Sequence, residues 1–147
     1  MKSLFKKLLS TSLLYITIAA VHGQDHLIKL DELPLKAKQF IKQYKKSDIS
    51  FIKMEKGFFT NKTYEVKLKD GSEFEFDGKG DWKEIDLKLE AIPLHLIPNS
   101  IQQYIKKSFP KNNVVKISKE SNKYEIELSN GLDLEFSKSG KFIAIDD

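Results

Sequence analysis

The stretch Tyr64-Glu65-Val66-Lys67-Leu68-Lys69-Asp70-Gly71-Ser72-Glu73-Phe74-Glu75-Phe76 decides the fold. Tyr64, Val66 and Leu68 alternate with charged or polar residues, and Phe74 and Phe76 do the same beyond Asp70-Gly71. Successive strand side chains point to opposite faces, so each arm is a half-buried strand with one apolar side. Asp-Gly tolerates the positive φ angles of a tight type I′ turn, which makes the two arms a hairpin. A second turn, Asp77-Gly78-Lys79-Gly80, leads into another strand over Asp81–Asp86. Upstream, Asp48–Lys56 reads as a strand rich in β-branched and aromatic residues.

The same text recurs at an offset of 60: Tyr124-Glu125-Ile126-Glu127-Leu128, then Asn130-Gly131, then Leu132, Leu134 and Phe136. Gly80 meets Gly140, Trp82 meets Phe142, Ile85 meets Ile145 and Asp86 meets Asp146. Near the start of each half, Leu33-Pro34 and Phe40-Ile41 meet Ile97-Pro98 and Tyr104-Ile105 at an offset of 64. The change of offset places a four-residue excess in the first copy, around Lys56–Thr60. Matches that retain both apolar spacing and turn glycines mark an internal repeat. Pro34–Lys46 and Pro98–Phe109 carry apolar residues three and four apart behind a proline, the pattern of a helix start. Val114–Lys119 is the second copy's first strand. The expected fold is therefore α+β: two tandem repeats, each one helix followed by an antiparallel sheet of about four strands. A unit this small is near the lower limit for independent folding, so the two sheets should share a core or run edge to edge.

Several of these motifs resemble the PepSY-like repeat proteins, secreted and mostly from Bacteroidetes. They are Pro98–Ile105 with Phe109-Pro110 closing the helix, Tyr124–Gly131, the Gly140–Ile143 ending, and Trp82–Asp86 as the same ending in the first copy. The resemblance covers residues 30–147. It implies a tandem scaffold similar in fold to the beta-lactamase inhibitor protein, with a sheet surface able to bind a protein. It carries over no catalytic residue.

The organisation expected is a signal peptide at 1–23, an N-terminal extension at 24–32, repeat 1 at 33–86, a connector at 87–96 and repeat 2 at 97–147. Met1–Lys7 is short and basic, Leu8–Val21 is mostly apolar, and Ala19, Ala20 and Gly23 supply small residues for cleavage. That apolar run is shorter than the ~20 residues a spanning helix needs. The address is periplasmic or secreted, with no membrane span after signal removal. The signal also accounts for most of the net charge of +4. It holds Lys2, Lys6 and Lys7 and no acid, leaving 22 Lys against 21 acids. Every cation is Lys; without Arg, the side chain best suited to bidentate phosphate and guanine contacts, nucleic acid is not an expected partner. With no Cys, disulfides, thiolate zinc sites and Cys nucleophiles are excluded.

Enzymatic readings find little support. His26 and His95 are far apart and in no metal-ligand spacing, no Ser sits in Gly-x-Ser-x-Gly, and the glycines are mainly turn glycines. No enzyme activity, cofactor or metal is expected. Glu65, Glu73 and Glu75, and Glu125, Glu127, Asp133 and Glu135, alternate with core residues as the wet face of a half-buried sheet does. Lys67 and Lys69 interleave with the acids of the first copy, whereas the second is almost purely acidic. Asp77–Asp81 resembles a calcium loop faintly but lacks its ligand count.

Four aromatics break the alternation and are the candidate binding residues. Phe58 and Phe59 are consecutive in the four-residue excess, so both cannot enter one core. Trp82 stands three residues from Ile85, and Phe142 three from Ile145, which in a flat strand puts them on opposite faces unless a bulge intervenes. The functional expectation is a non-enzymatic binding module, inhibitor-like as the resemblance implies, presenting a sheet face to a protein or cell-envelope component. The alternative is a small-ligand or divalent-cation binding protein using the acidic face of repeat 2.

Overall fold

The computed structural model describes residues 26–45, 47–57 and 61–146. The expected signal peptide at 1–23, Phe58 and Phe59 lie outside the described residues. The elements are β1 (His26–Leu27), α1 (Leu35–Tyr44), β2 (Ile49–Lys56), β3 (Lys62–Leu68), β4 (Glu73–Asp77) and β5 (Trp82–Asp86). They continue with α2 (Asn99–Ser108), β6 (Val114–Lys119), β7 (Lys123–Leu128), β8 (Asp133–Ser137) and β9 (Phe142–Asp146). Short 3-10 turns at Leu30–Glu32 and Leu94–Leu96 precede the two helices.

All nine strands form one antiparallel sheet in sequence order, so β5 pairs with β6 and the two hairpin groups join edge to edge. Neighbouring registers link one row of apolar residues from strand to strand: Ile52, Val66, Phe74, Ile85, Ile117, Ile126, Leu134 and Ile145. Directly opposed residues share a face, so this row builds a single continuous core. All of it is buried except its last member, Ile145, which is 47% exposed.

Both helices cover this face. Ala37 and Ile41 of α1 and Ile101 and Ile105 of α2 are buried. Phe40 meets Phe74 and Phe76 edge-on, and Tyr104 meets Phe136 edge-on. Pro34 and Pro98, expected as the first helical residues, occupy the N-cap instead, and the helices begin one residue later at Leu35 and Asn99. Their fixed φ directs the chain into the helix without spending an N–H. Both helices are shorter than the periodicity suggests, because Lys45 turns extended and Phe109 leaves the helical region.

The turns correct the sequence reading. A type I′ turn needs positive φ at both central residues, and Asp70 and Asn130 do not have it; Gly71 and Gly131 do, at 90° and 82°. Gly71 N donates to Leu68 O and Leu68 N to Ser72 O, which makes a three-residue loop closed by a glycine bulge. The 128–132, 77–81 and 137–141 turns repeat this bonding. Asp77 spends its Oδ1 accepting the N–H groups of Lys79 and Asp81 at 2.8 and 3.0 Å, so Asp77–Asp81 is a self-capped hairpin loop. The connector is stitched to β6: Leu87 N donates to Val115 O and Ile92 N to Val114 O.

Candidate functional site: the uncovered sheet face

Opposite the helices the sheet meets water, and register again links its residues into rows. One row reads Lys53, Glu65, Glu75, Glu84, Ser118, Glu125, Glu135, Ala144. Beside it runs Phe51, Lys67, Glu73, Asp86, Lys116, Glu127, Asp133, Asp146. Acids outnumber lysines in both. The helices are the reverse: α1 holds Lys36, Lys38 and Lys42, α2 holds Lys106 and Lys107, and neither contains an acid. The described residues thus carry an excess of acids on the open face and lysines without acids on the two helices.

Like charges directly opposed across strands repel, and the lysines present are placed to relieve this. Lys53 lies 2.5 Å from Glu55 and 3.8 Å from Glu65, Lys83 lies 2.9 Å from Glu75, and Lys116 lies 3.1 Å from Glu84. Lys67 pairs with Glu73, and Lys88 with Asp86. Lys123 reaches both Glu125 and Glu135, at 2.6 and 2.5 Å. Its hydrogen bonds to these two carboxylates push its pKa well above the ordinary lysine value. Burial pulls Lys116 down, but its hydrogen bond to Glu84 and the charges of Glu84, Asp86 and Glu127 outweigh this and raise it. Glu65 is raised, by burial first and then by Glu73, with Lys53 opposing.

One opposed pair on β7 and β8 is left without such a bridge. Glu127 faces Asp133 directly, and among the described residues neither has a lysine within ion-pair distance. With Lys116, Glu125 and Glu135 they line a shallow groove of about 230 Å³. Among the described residues no group of three or more acids or histidines is close enough to hold a metal ion.

Of the candidate aromatics, Trp82 and Phe142 lie on the helical side. In β5 both Lys83 and Glu84 oppose Glu75, while Trp82 opposes Phe76 and Ile85 opposes Phe74. This bulge absorbs the odd residue and puts Trp82 and Ile85 on the same, helical side. The half-buried Trp82 ring lies under Lys119 Nζ, 3.4 Å from its centroid. In β9 the matching bulge sets Phe142 against Phe136, where it stacks on Tyr104 with centroids 4.7 Å apart. His95 Nε2 lies 2.6 Å from the Tyr44 hydroxyl, and His26 opposes Met54 in the sheet, so the histidines stay apart. Sequence reasoning missed Glu84, Asp86 and Lys116 on the acidic face. Glu84 and Asp86 lie past a bulge that only the partner strand reveals. The absence of acids from both helical segments was readable and pointed the same way.

The description "Putative beta-lactamase-inhibitor-like, PepSY-like" belongs to the family profile that matches residues 62–144. Among solved structures, a putative periplasmic protein of the DUF2874 family from Bacteroides vulgatus ATCC 8482 is 34% identical with a TM-score of 0.79. The match covers 84% of this chain and 98% of that one. A putative calcium-regulated periplasmic protein from Bacteroides thetaiotaomicron is 39% identical, TM-score 0.77, over 84% and 97%. A second Bacteroides vulgatus periplasmic protein, of unknown function, is 36% identical, TM-score 0.78, over 84% and 100%. No curated protein matches the chain. No helix among the described residues is long and apolar enough to cross a membrane. The chain belongs to the PepSY-like family, and it is a periplasmic protein.

Proposed function

We propose that this protein is a non-enzymatic periplasmic binding module whose acidic sheet face receives a basic protein or envelope surface. The observation that carries the reading is the separation of charge: two acidic rows run the width of an uncovered sheet, while the helices behind it hold only lysines. Such a face raises the rate of encounter with a cationic surface and repels acidic ones. The inhibitor-like description of the family is in keeping with a sheet that docks a protein. The reading includes the organisation inferred from the sequence, with two copies of one unit at 33–86 and 97–147. The offset matches and the succession of a helix and four strands in each half support it. Phe58 and Phe59 are retained from the sequence as candidate apolar contacts; Trp82 and Phe142 lie on the helical side of the sheet.

The test is capture from periplasmic extract by immobilised mature protein, at low and high salt. Glu125→Gln/Glu127→Gln/Glu135→Gln should lose the captured partner, and salt should release it from the parent protein. Equal recovery by parent and variant, insensitive to salt, rejects the acidic face. Phe58→Ala/Phe59→Ala tests these two aromatics separately.

A second reading rests on Glu127 and Asp133. Two opposed carboxylates without a lysine are a place for a divalent cation, and one relative is described as calcium-regulated. Calcium should then raise the melting temperature by several degrees, and Glu127→Gln/Asp133→Asn should abolish the rise. No shift in the parent protein rejects this reading.

A further inference from the structure

Beside the apolar core row, a second row on the helical side holds a single charge. It reads Met54, Tyr64, Phe76 and Trp82 across β2–β5, then Lys119, Tyr124, Phe136 and Phe142 across β6–β9. α1 sets Phe40 on Phe76, and α2 sets Tyr104 on Phe136 and Phe142. The helix aromatics thus sit over the two wings, while Trp82, Lys119 and Tyr124 in the middle stay half-buried. Lys119 stands opposite Tyr124 as Met54 stands opposite the matching Tyr64, so the second half carries an ammonium where the first carries a thioether. A second exchange accompanies it. Lys138 replaces Gly78 at the offset of 60, and its Nζ lies 4.8 Å from the centroid of the Tyr124 ring.

Both ammoniums therefore rest on rings, Lys119 on Trp82 and Lys138 on Tyr124, which attract a cation without neutralising it. Among the described residues neither has a carboxylate within ion-pair distance, whereas Lys53, Lys67, Lys83, Lys116 and Lys123 of the open face all do. The acids that Lys119 feels are engaged elsewhere: Asp81 holds Lys36 at 2.9 Å, and Asp77 Oδ1 closes its own loop. Burial pulls the Lys119 pKa below its ordinary value, and Lys138 adds to this against Asp81 and Asp77. Two like charges thus meet at a partly desolvated surface with nothing to offset them, and a bound anion would gain from both.

We infer that Lys119 and Lys138 together bind a phosphate monoester group, with Trp82 and Tyr124 holding the two ammoniums in place. Such a group carries about −1.5 to −2 charges at pH 7, which matches two ammoniums, and it accepts point-charge donors. A carboxylate is singly charged and planar and is matched by an arginine fork, which this chain lacks. Two lysines clasp one such group and cannot follow a nucleic-acid backbone. The clasp lies across the sheet from the acidic face and stands independently of the role proposed for that face.

Trp82 is the chain's single tryptophan, so its fluorescence reads the site directly. The mature protein is titrated near neutral pH with inorganic phosphate over roughly 0.1–20 mM, a range suited to a weak site, against sodium chloride of matched ionic strength. A parallel titration uses phosphatidylcholine vesicles with and without phosphatidic acid, which carries the same group on a lipid. The expected result is a saturating change with phosphate or with phosphatidic acid. A response to phosphate identifies a soluble ligand, and one to phosphatidic acid alone a lipid headgroup. Lys119→Met and Lys138→Gly restore the residues of the first half and should each weaken binding on the order of tenfold. Because Lys119→Met also alters the surroundings of the ring, the rise in melting temperature with ligand serves as a second readout. Lys106→Gln removes the same charge from the last turn of α2 and should leave binding intact. Circular dichroism confirms that each variant is folded. No saturating response in either titration, an equal response to chloride, or equal weakening by Lys106→Gln would each overturn the proposal.

Discussion

The β3–β4 and β7–β8 hairpins hold the same interior and different exteriors. On the helical side Tyr64, Leu68 and Phe76 recur as Tyr124, Leu128 and Phe136, while Val66 becomes Ile126 and Phe74 becomes Leu134, apolar for apolar. On the water side Glu65 and Glu75 match Glu125 and Glu135, but the Lys67–Glu73 ion pair becomes Glu127 facing Asp133. Packing explains the contrast. A buried position must fill a fixed volume between sheet and helix, whereas an exposed one needs only to be soluble. What differs between the halves therefore lies on the face available to a partner.

The sharpest way to break the comparison is through the shared interior. Phe76→Ala and Phe136→Ala each empty a fully buried ring site that a helix aromatic contacts edge-on. Each should cost about 3–5 kcal/mol, by lost transfer energy and the cavity left behind. Because the apolar row runs unbroken through the β5–β6 pairing, either variant should lower a single denaturant transition for the whole chain. Two separate transitions, with only the mutated half weakened, would show that the halves fold independently.

Turn glycines give the next largest effect and divide by position within the half. Gly80 and Gly140 have φ of 83° and 78° and lie against the helix starts; a Cβ on Gly80 would come within 2.9 Å of Ala37 N, and one on Gly140 within 2.8 Å of Ser100 Cβ. Gly131 has φ of 82° but open space around it. Gly131→Ala should thus cost only the ~1–2 kcal/mol of a left-handed backbone, and Gly80→Ala and Gly140→Ala distinctly more. Equal melting temperatures for all three would deny that the β4–β5 and β8–β9 turns seat the helices.

These glycines also mark how far the sequence could be read. Alternation, the proline helix starts and the repeated Asp-Gly and Asn-Gly were enough for both helices and both hairpins, while the small size of each unit left open whether the sheets share a core or run edge to edge. Turn type was not legible: Asp-Gly suits more than one hairpin loop, and bonding between Leu68 and Ser72 decides among them. The side taken by Trp82 and Phe142 was hidden for a related reason. A bulge is a mismatch of two residues against one, and it appears only when Glu75 and Glu135 are set beside their partners. The acidic rows have the same origin, since their members come from different strands and meet only through register. Phe58 and Phe59, outside the described residues, stand where the sequence left them.

Exchanging the charges of the two halves sharpens the comparison at a smaller scale. Asp133→Lys puts a lysine opposite Glu127, the Lys67–Glu73 pair with its charges exchanged between strands, and should stabilise the protein by about 0.2–1 kcal/mol. Lys67→Glu makes the first half resemble the second and should destabilise it by a similar amount. Both effects should shrink in molar salt, where charges at a half-exposed surface are screened. If both persist unchanged in salt, packing rather than charge distinguishes the two hairpins.

The smallest effect concerns Glu65 and its counterpart Glu125, identical in residue and unlike in setting. Glu65 is 27% exposed, and its nearest lysine, Lys53, lies 3.8 Å away and is shared with Glu55. Glu125 is 43% exposed and holds Lys123 at 2.6 Å. Burial and then Glu73 raise the Glu65 pKa above its ordinary 4.5, so the folded state binds this proton more tightly than the unfolded state. By linkage the ionised carboxylate costs stability at neutral pH, and that cost disappears as pH falls through the raised folded value toward 4.5. Glu65→Gln should therefore raise the melting temperature at pH 7, by about 1–2 °C for a few tenths of a kcal/mol, and the gain should vanish near pH 4.5. Glu125→Gln loses its ion pair and should lower the melting temperature at pH 7 instead. Melting curves of both variants between pH 4.5 and 7 check the opposite signs; a shared sign would mean that the two glutamates occupy equivalent environments after all.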